Sequence, residues 1–345
     1  MAMTDGRLWG VGEPRVRERR RAARRALRCL ACVLLLADPS ARATAPATSP
    51  PAAQRLDAAE QLADIMVEAR EPRFVAPTRR DHIGRIWAPV FINGHGPFRM
   101  VLDTGASHSG VTAMVALALG IPTDQSPPVL LRGVTGAATV PTIRVDTLNV
   151  GDVSVDSTML PIVPDAMGGA EGILGSEGLA DKRIFIDFRH DQIVIAYSRD
   201  ERPERGFVTV PFHSMHGQLI VVDTTIGGVS AQAIIDTGGQ TTIANLALRD
   251  ALASRSQSRW GKRDEIIGAS LDVQQGELTT MPPVEFGTLR IESAGVTFAD
   301  MYIFKQWHMT SRPAILIGMD ALGLLDTLVI DYRRHEVQMR TAAAR

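Results

Sequence analysis

An apolar run that ends on Asp-Thr-Gly occurs twice in this chain, and that repetition constrains the fold more than any bulk property. Phe98-Arg99-Met100-Val101-Leu102 runs into Asp103-Thr104-Gly105-Ala106-Ser107, and 133 residues later Gln232-Ala233-Ile234-Ile235 runs into Asp236-Thr237-Gly238-Gly239. Each run reads as a buried strand with Asp-Thr-Gly at the turn where it ends. At average residue frequencies roughly 0.06 copies of Asp-Thr-Gly are expected in a chain of this length. Two in the same context therefore point to one plan used twice.

The correspondence extends beyond the motif. Ile86 to Ile92, a turn at Asn93-Gly94-His95-Gly96-Pro97 and Phe98 to Leu102 form a predicted hairpin; Leu219 to Ile226, Gly227-Gly228 and Val229 to Ile235 form a second. Val140 to Val163 tracks Met281 to Phe304, Gly172-Ile173-Leu174-Gly175 matches Ile315-Leu316-Ile317-Gly318, and Ile186-Asp187-Phe188 matches Ile330-Asp331-Tyr332. The expected architecture is all-β, with two homologous lobes. Their boundaries are set at 81–202 and 203–345, with the charged and Pro-containing stretch from Arg199 to Arg205 as the joint.

The formal charge of −1 conceals an asymmetry: residues 1–43 hold ten arginines against four acids, a net +6, which leaves −7 on the remainder. A remainder of that sign has no basic excess to hold nucleic acid. The arginines precede a short apolar run, Cys29 to Ala37, and small residues around Ala41-Arg42-Ala43, the layout of a secretory signal peptide. The run is too short to span a bilayer, which takes roughly 20 residues. An exported protein, periplasmic or secreted, is therefore expected. Both cysteines, Cys29 and Cys32, fall inside that segment, so the expected mature chain has no disulfide and no thiolate metal site. Residues 44–80 read as a linker with a helical stretch, Leu56 to Arg70, that either docks on the fold or serves as a removable pro-segment.

Two carboxyl groups held in contact cannot both ionise cheaply and so share one proton. One is then a base while the other is an acid. A water between them can lose a proton to the first as it attacks an amide carbonyl, whose oxygen is protonated by the second; the step needs no metal, cofactor or covalent intermediate. Gly105 and Gly238 allow the backbone to turn close to the opposite carboxylate, and Thr104 and Thr237 offer hydroxyls that can bond across to the other loop.

On these motifs, with Asn-Gly-His-Gly-Pro-Phe-Arg ahead of the first and the apolar-apolar-Gly elements Ile173-Leu174-Gly175 and Leu316-Ile317-Gly318 behind, the chain resembles the retropepsin-like aspartic peptidases. The likeness is to a bacterial exported form with two retropepsin-type lobes fused, and it covers roughly residues 83–340. The resemblance implies a dyad of Asp103 and Asp236, supported by Thr104, Gly105, Thr237 and Gly238. It implies that each apolar-apolar-Gly strand threads behind a catalytic loop. It also implies two hairpin flaps, with Val134, Thr135 and Gly136 in one and Ile267, Gly268 and Ala269 in the other. The implied activity is that of an aspartic endopeptidase, monomeric because one chain carries both half-sites, acting on an extended peptide or unfolded protein. The second loop departs from the family in having Gly239-Gln240 after Asp-Thr-Gly, which leads us to expect a looser loop. The alternative is a catalytically weak or inactive peptide-binding protein of the same fold.

Other polar residues have simpler roles. Asp187 and Asp331 read as turn acids, Glu177 and Asp320 as acids at helix starts. His108 reads as structural, Trp260 and Trp307 as core or rim packing, and His213 with His216 as a surface turn without a third metal ligand.

Overall fold

The computed structural model describes residues 74–77 and 85–341, apart from 151–152, 166–167, 200–202, 218, 256–261 and 293–294. The expected signal peptide, the Leu56 to Arg70 helix, Trp260 and residues 200–202 of the joint lie outside the described residues.

The architecture is all-β. Both predicted hairpins are present, closed by two-residue turns. Asn93 (φ 50°) and Gly94 (φ 75°) link Trp87–Ile92 to His95–Leu102, and Gly227 (φ 53°) and Gly228 (φ 77°) link Leu219–Ile226 to Val229–Ile235. Positive φ at both turn positions matches the twist of the flanking strands, which is why Asn-Gly and Gly-Gly serve there. The first turn is shorter than the sequence implied, since His95 already pairs with Ile92. The asparagine does more than turn: its Oδ1 accepts the amides of Asp146 and Thr147, 2.8 and 3.0 Å away, and so ties the hairpin to Thr142–Val150.

In the first half, six strands close into a barrel: Trp87–Ile92, His95–Leu102, Gly172–Leu174, Gly110–Thr112, Val153–Val163 and Thr142–Val150. His95–Leu102 is exposed where it begins and fully buried over Met100 to Leu102, so the aspartate that follows is delivered into the interior. Gly172–Leu174 pairs parallel with that end, Leu102 beside Leu174. The second half repeats the local device: Ala314–Ile317 pairs parallel with Val229–Ile235, Ile235 beside Ile317.

A large sheet joins the halves. The hairpin of Lys182–Asp187 and Gln192–Tyr197 meets the hairpin of Thr327–Asp331 and Glu336–Arg340 through an antiparallel pairing that sets Ile184 against Ile330. One buried apolar cluster runs through both halves, from Ile86 and Leu102 to Ile235, Leu328 and Met339. Phe74–Pro77, within the stretch read as a linker, adds an edge strand against Gln192–Tyr197. Its four residues are too few to carry a period, so the sequence offered no sign of it.

Candidate active site

Backbone bonds anchor both Asp-Thr-Gly loops. The Asp103 amide donates to Leu174 O at 2.9 Å and the Asp236 amide to Ile317 O at 3.0 Å, so each loop hangs on the strand that crosses behind it. The threonines then lock the loops to each other. Thr104 Oγ1 donates to Ile235 O at 2.7 Å and accepts from the Thr237 amide at 3.1 Å. Thr237 Oγ1 does the same in reverse, donating to Leu102 O at 2.7 Å and accepting from the Thr104 amide at 3.1 Å. A hydroxyl is required at both places, because only a group that donates and accepts can complete both bonds.

The two carboxylates meet inside this lattice, Asp103 1 % exposed and Asp236 0 %. Asp103 Oδ1 accepts the Gly105 amide at 2.8 Å; Asp236 Oδ1 accepts two, from Gly238 at 2.9 Å and Gly239 at 2.8 Å. The loop with the unusual Gly239-Gln240 is thus bonded as fully as the first, in which the Ala106 amide donates to Asp103 O at 3.2 Å and Ala106 O accepts the Ser176 amide and hydroxyl at 2.9 and 3.0 Å. In the second loop the next two carbonyls are also used, Gly239 O by the Met319 amide at 2.8 Å and Gln240 O by the Asp320 amide at 3.1 Å. The looseness expected from the sequence is absent, because glycine removes a side chain and keeps the N–H that holds the carboxylate.

The glycines of the motif are fixed by space. A Cβ on Gly238 would overlap the Asp103 carboxyl, and one on Gly105 would lie 2.9 Å from Asp236 Cγ. Oδ2 of each aspartate is buried without a hydrogen-bond partner. Such atoms are costly unless a water or substrate fills the place. Burial pushes the Asp103 carboxyl well above its ordinary range, and the charge of Asp236 adds to that. Burial also raises Asp236, against the opposing effect of the Gly239 and Gly238 amides and of the Arg85 charge. A site with one proton for two carboxyl groups follows.

A second ring of residues holds the loops from behind. Ser109 Oγ accepts the Gly175 amide at 3.0 Å while its own amide donates to Glu177 Oε1 at 2.6 Å. Thr242 repeats this: its Oγ1 accepts the Gly318 amide at 3.2 Å and donates to Asp320 Oδ1 at 2.6 Å, and its amide donates to Asp320 Oδ2 at 3.0 Å. Asp320 does begin a helix, Met319–Leu322, but Glu177 lies in a turn. The shared duty of these two acids is therefore to pin the segment that leaves each Asp-Thr-Gly loop. Burial raises both, Glu177 to about 7. Asp187 and Asp331 have the expected turn role, Oδ1 of each accepting amides from residues further along its turn.

The flap candidates sit on hairpins whose tips meet. The first joins Val129–Arg132 to Ala137–Val140, the second Lys262–Ile267 to Val273–Thr280. Thr135 Oγ1 accepts the Gly268 amide at 2.9 Å, and a Cβ on Gly133 would lie 3.0 Å from Ala269 N. Each tip buries its residue in the other half: Val134 packs with Ile234, Leu316 and Trp307, and Ala269 with Val101, Ala106 and Ile173. Trp307 is core, edge-on to Phe304. His108 leans on Ser107, Nδ1 3.1 Å from Oγ, and burial lowers it. His213 is exposed on the strand Val208–Met215, and His216 lies in the turn after it.

Two residues near the dyad escaped the sequence reading, Arg85 and Tyr332. Arg85 is 1 % exposed, and Tyr332 is buried with its hydroxyl unpartnered. A lone arginine in the apolar run Ile83 to Ile92, ahead of the strand that pairs with the Asp103 strand, was the available signal.

All-β sheets and paired, interlocked Asp-Thr-Gly loops define the aspartyl-protease class of site. Residues 88–177, a stretch that contains Asp103, match the family model described as aspartyl protease. Among solved structures, soybean basic 7S globulin is similar with a TM-score of 0.46 and 11% identity, over 79% of this chain and 97% of that one. A retropepsin-like aspartic protease from Rickettsia conorii is similar with a TM-score of 0.27 and 16% identity, over 39% of this chain and 99% of that one. No curated protein matches.

Proposed function

We propose that this chain is an exported aspartic endopeptidase built from two fused retropepsin-type lobes, acting as a monomer on extended peptides or unfolded protein. The observation that carries this reading is the pair of buried carboxylates, held by reciprocal threonine bonds, with Oδ2 of each buried and unpartnered. A water at that place gives one proton to the ionised carboxylate and forms a C–O bond to the amide carbon. The protonated carboxyl donates to the carbonyl oxygen. Collapse of the resulting diol breaks the C–N bond as the proton held by the base passes to nitrogen, and a diol proton returns to the acid.

The test is hydrolysis of a diverse peptide library at acidic pH by the wild-type protein and by Asp103→Asn. Activity that is lost in the variant, with folding unchanged, is the expected result; a variant as active as the parent rejects the assignment.

One observation favours the second reading, a peptide-binding protein that does not cut. The tips around Val134 and Ala269 are seated in opposite halves and bonded to each other through Thr135 and Gly268. Peptide binding without cleavage from pH 3 to about 7, the range in which buried carboxyls titrate, would establish it.

A further inference from the structure

The hairpin of Lys262–Ile267 and Val273–Thr280 leaves part of one edge open. Lys262–Ile267 covers one side of the second strand, from Ile267 beside Val273 to Lys262 beside Leu278. On the other side Gly295–Phe298 pairs only with Glu277 to Thr280. There the chain turns away: the Ala299 amide donates to Ala244 O and the Met301 amide to Ala299 O, both at 2.9 Å. Among the described residues no strand pairs with Val273, Gln274, Gln275 or Gly276 on that side.

The register decides which groups are left over. The Gly268 amide donates to Asp272 O at 3.4 Å, which makes those two residues a hydrogen-bonded pair. In an antiparallel hairpin such pairs alternate, so Ile266 with Gln274 and Asp264 with Gly276 are hydrogen-bonded pairs as well. The N–H and C=O groups of Val273 and Gln275 therefore point away from Lys262–Ile267, into the open side. A row of this kind is a template for a further strand. It borders a groove of about 560 Å³, whose other walls are Leu246 and Arg249 of the helix Leu246–Ala253 and the turn Phe298-Ala299-Asp300. None of the residues that line the groove belongs to an Asp-Thr-Gly loop.

The charge of the groove selects its occupant. Glu277 and Asp300 line it against one cation, Arg249. That guanidinium is already engaged, with Nη2 2.9 Å from Asp250 Oδ1 and Nη1 3.7 Å from Glu277 Oε2. Asp300 Oδ1 accepts the Leu246 amide at 3.0 Å, and the carboxylate has no cation partner among the described residues. A lysine or arginine entering the groove meets an excess of negative charge; an acidic side chain is repelled by it.

We infer that this groove is a second peptide site, in which an extended basic segment adds as a strand beside Val273–Gly276. Its backbone bonds the N–H and C=O groups of Val273 and Gln275, as strand addition to a sheet edge requires, and a lysine or arginine side chain pairs with Asp300. The site holds a peptide without cutting it.

The experiment follows amide hydrogen exchange by NMR in the full chain carrying Asp103→Asn, so that no probe is cut. The probes are short peptides of alternating threonine and lysine, of alternating threonine and glutamate, and the threonine–lysine peptide N-methylated throughout. The threonine–lysine peptide is expected to slow exchange of the Val273 and Gln275 amides by about tenfold, as a newly formed hydrogen bond does. The glutamate peptide is expected to slow it less and the methylated one not at all. Gln275→Pro removes an outward N–H, which an edge strand accommodates, and is expected to weaken threonine–lysine binding by about tenfold. Asp300→Asn keeps the acceptor for the Leu246 amide and removes the charge; it is expected to weaken that binding by about two- to fivefold.

An unchanged Gln275 amide, or a methylated peptide as effective as its parent, overturns the inference. Equal effects of the lysine and glutamate peptides overturn the assignment of a basic occupant. If Gln275→Pro does not fold, the methylated peptide decides alone. Neither catalytic aspartate takes part, so the two readings fail separately. Protection of Val273 and Gln275 in a chain whose wild type cleaves nothing counts against the peptidase reading alone, and cleavage without that protection counts against this site alone.

Discussion

Thr104 and Thr237 show how far one hydroxyl can reach. Replacing Thr104 with Val keeps the shape but strands the Ile235 carbonyl and the Thr237 amide, both buried. At about 1–3 kcal/mol for each buried group left unsatisfied, Thr104→Val is expected to lose about 2–6 kcal/mol in urea unfolding. Gly238→Ala acts differently, since its methyl overlaps the Asp103 carboxyl. Activity is expected to fall by about a hundredfold or more, as displacement of reacting groups by an ångström does, and kcat measured beside unfolding separates this from loss of structure. Glu177 gives a pH signature. Its folded value is about 7 against an ordinary 4.5, so the native state binds its proton more tightly than the unfolded chain does. The stabilisation is fully present below about 4.5 and is lost as pH rises through 7. With its partial exposure discounted, the effect is about 2 kcal/mol. Glu177→Gln is expected to flatten that part of the profile of unfolding free energy against pH; an unchanged slope would show that other groups produce it.

At the scale of elements, hairpin tips and pinning segments matter more than helices. The tip of the first hairpin is tied to the second by Thr135 Oγ1 and the Gly268 amide, and Ile303 N donates to Val134 O at 3.1 Å. Thr135→Val removes the first tie while keeping the volume. At about 1.4 kcal/mol for a buried bond, the Gly268 amide is expected to exchange with solvent about tenfold faster, with strand amides unaffected. Equal exchange would mean that the packing of Val134 and Ala269 and the Ile303–Val134 bond hold the tips without it. The hairpins were legible as local patterns: two runs, a glycine-containing turn, then the aspartate. The flap hairpins were expected from the resemblance, but which half receives Val134 was not legible, because it depends on contacts far apart in the chain.

For the whole molecule, the joining sheet and the shared cluster bear on cooperativity. Ile184 and Ile330 face each other across the pairing that links the halves, and the cluster around them includes residues from both. Each Asp-Thr-Gly loop also depends on the other for two hydrogen bonds. The chain is therefore expected to unfold in a single calorimetric transition, with equal van't Hoff and calorimetric enthalpies. Two separated transitions would show that the halves hold their structure independently.

The sequence by itself determined the strand-rich class, the two hairpins and the two aspartates, because alternation, Gly turns and the Asp-Thr-Gly motif are local and survive without knowledge of neighbours. It could not determine that the Gly239 amide helps hold the Asp236 carboxylate, that Glu177 and Asp320 pin the segments leaving the loops, that Val134 and Ala269 are buried in opposite halves, or that Arg85 is buried. Those facts depend on which backbone amides and charges a side chain meets once strands distant in the chain are packed together. Burial then sets their energy: a bond or charge that would be nearly neutral in water becomes decisive where no solvent can replace it.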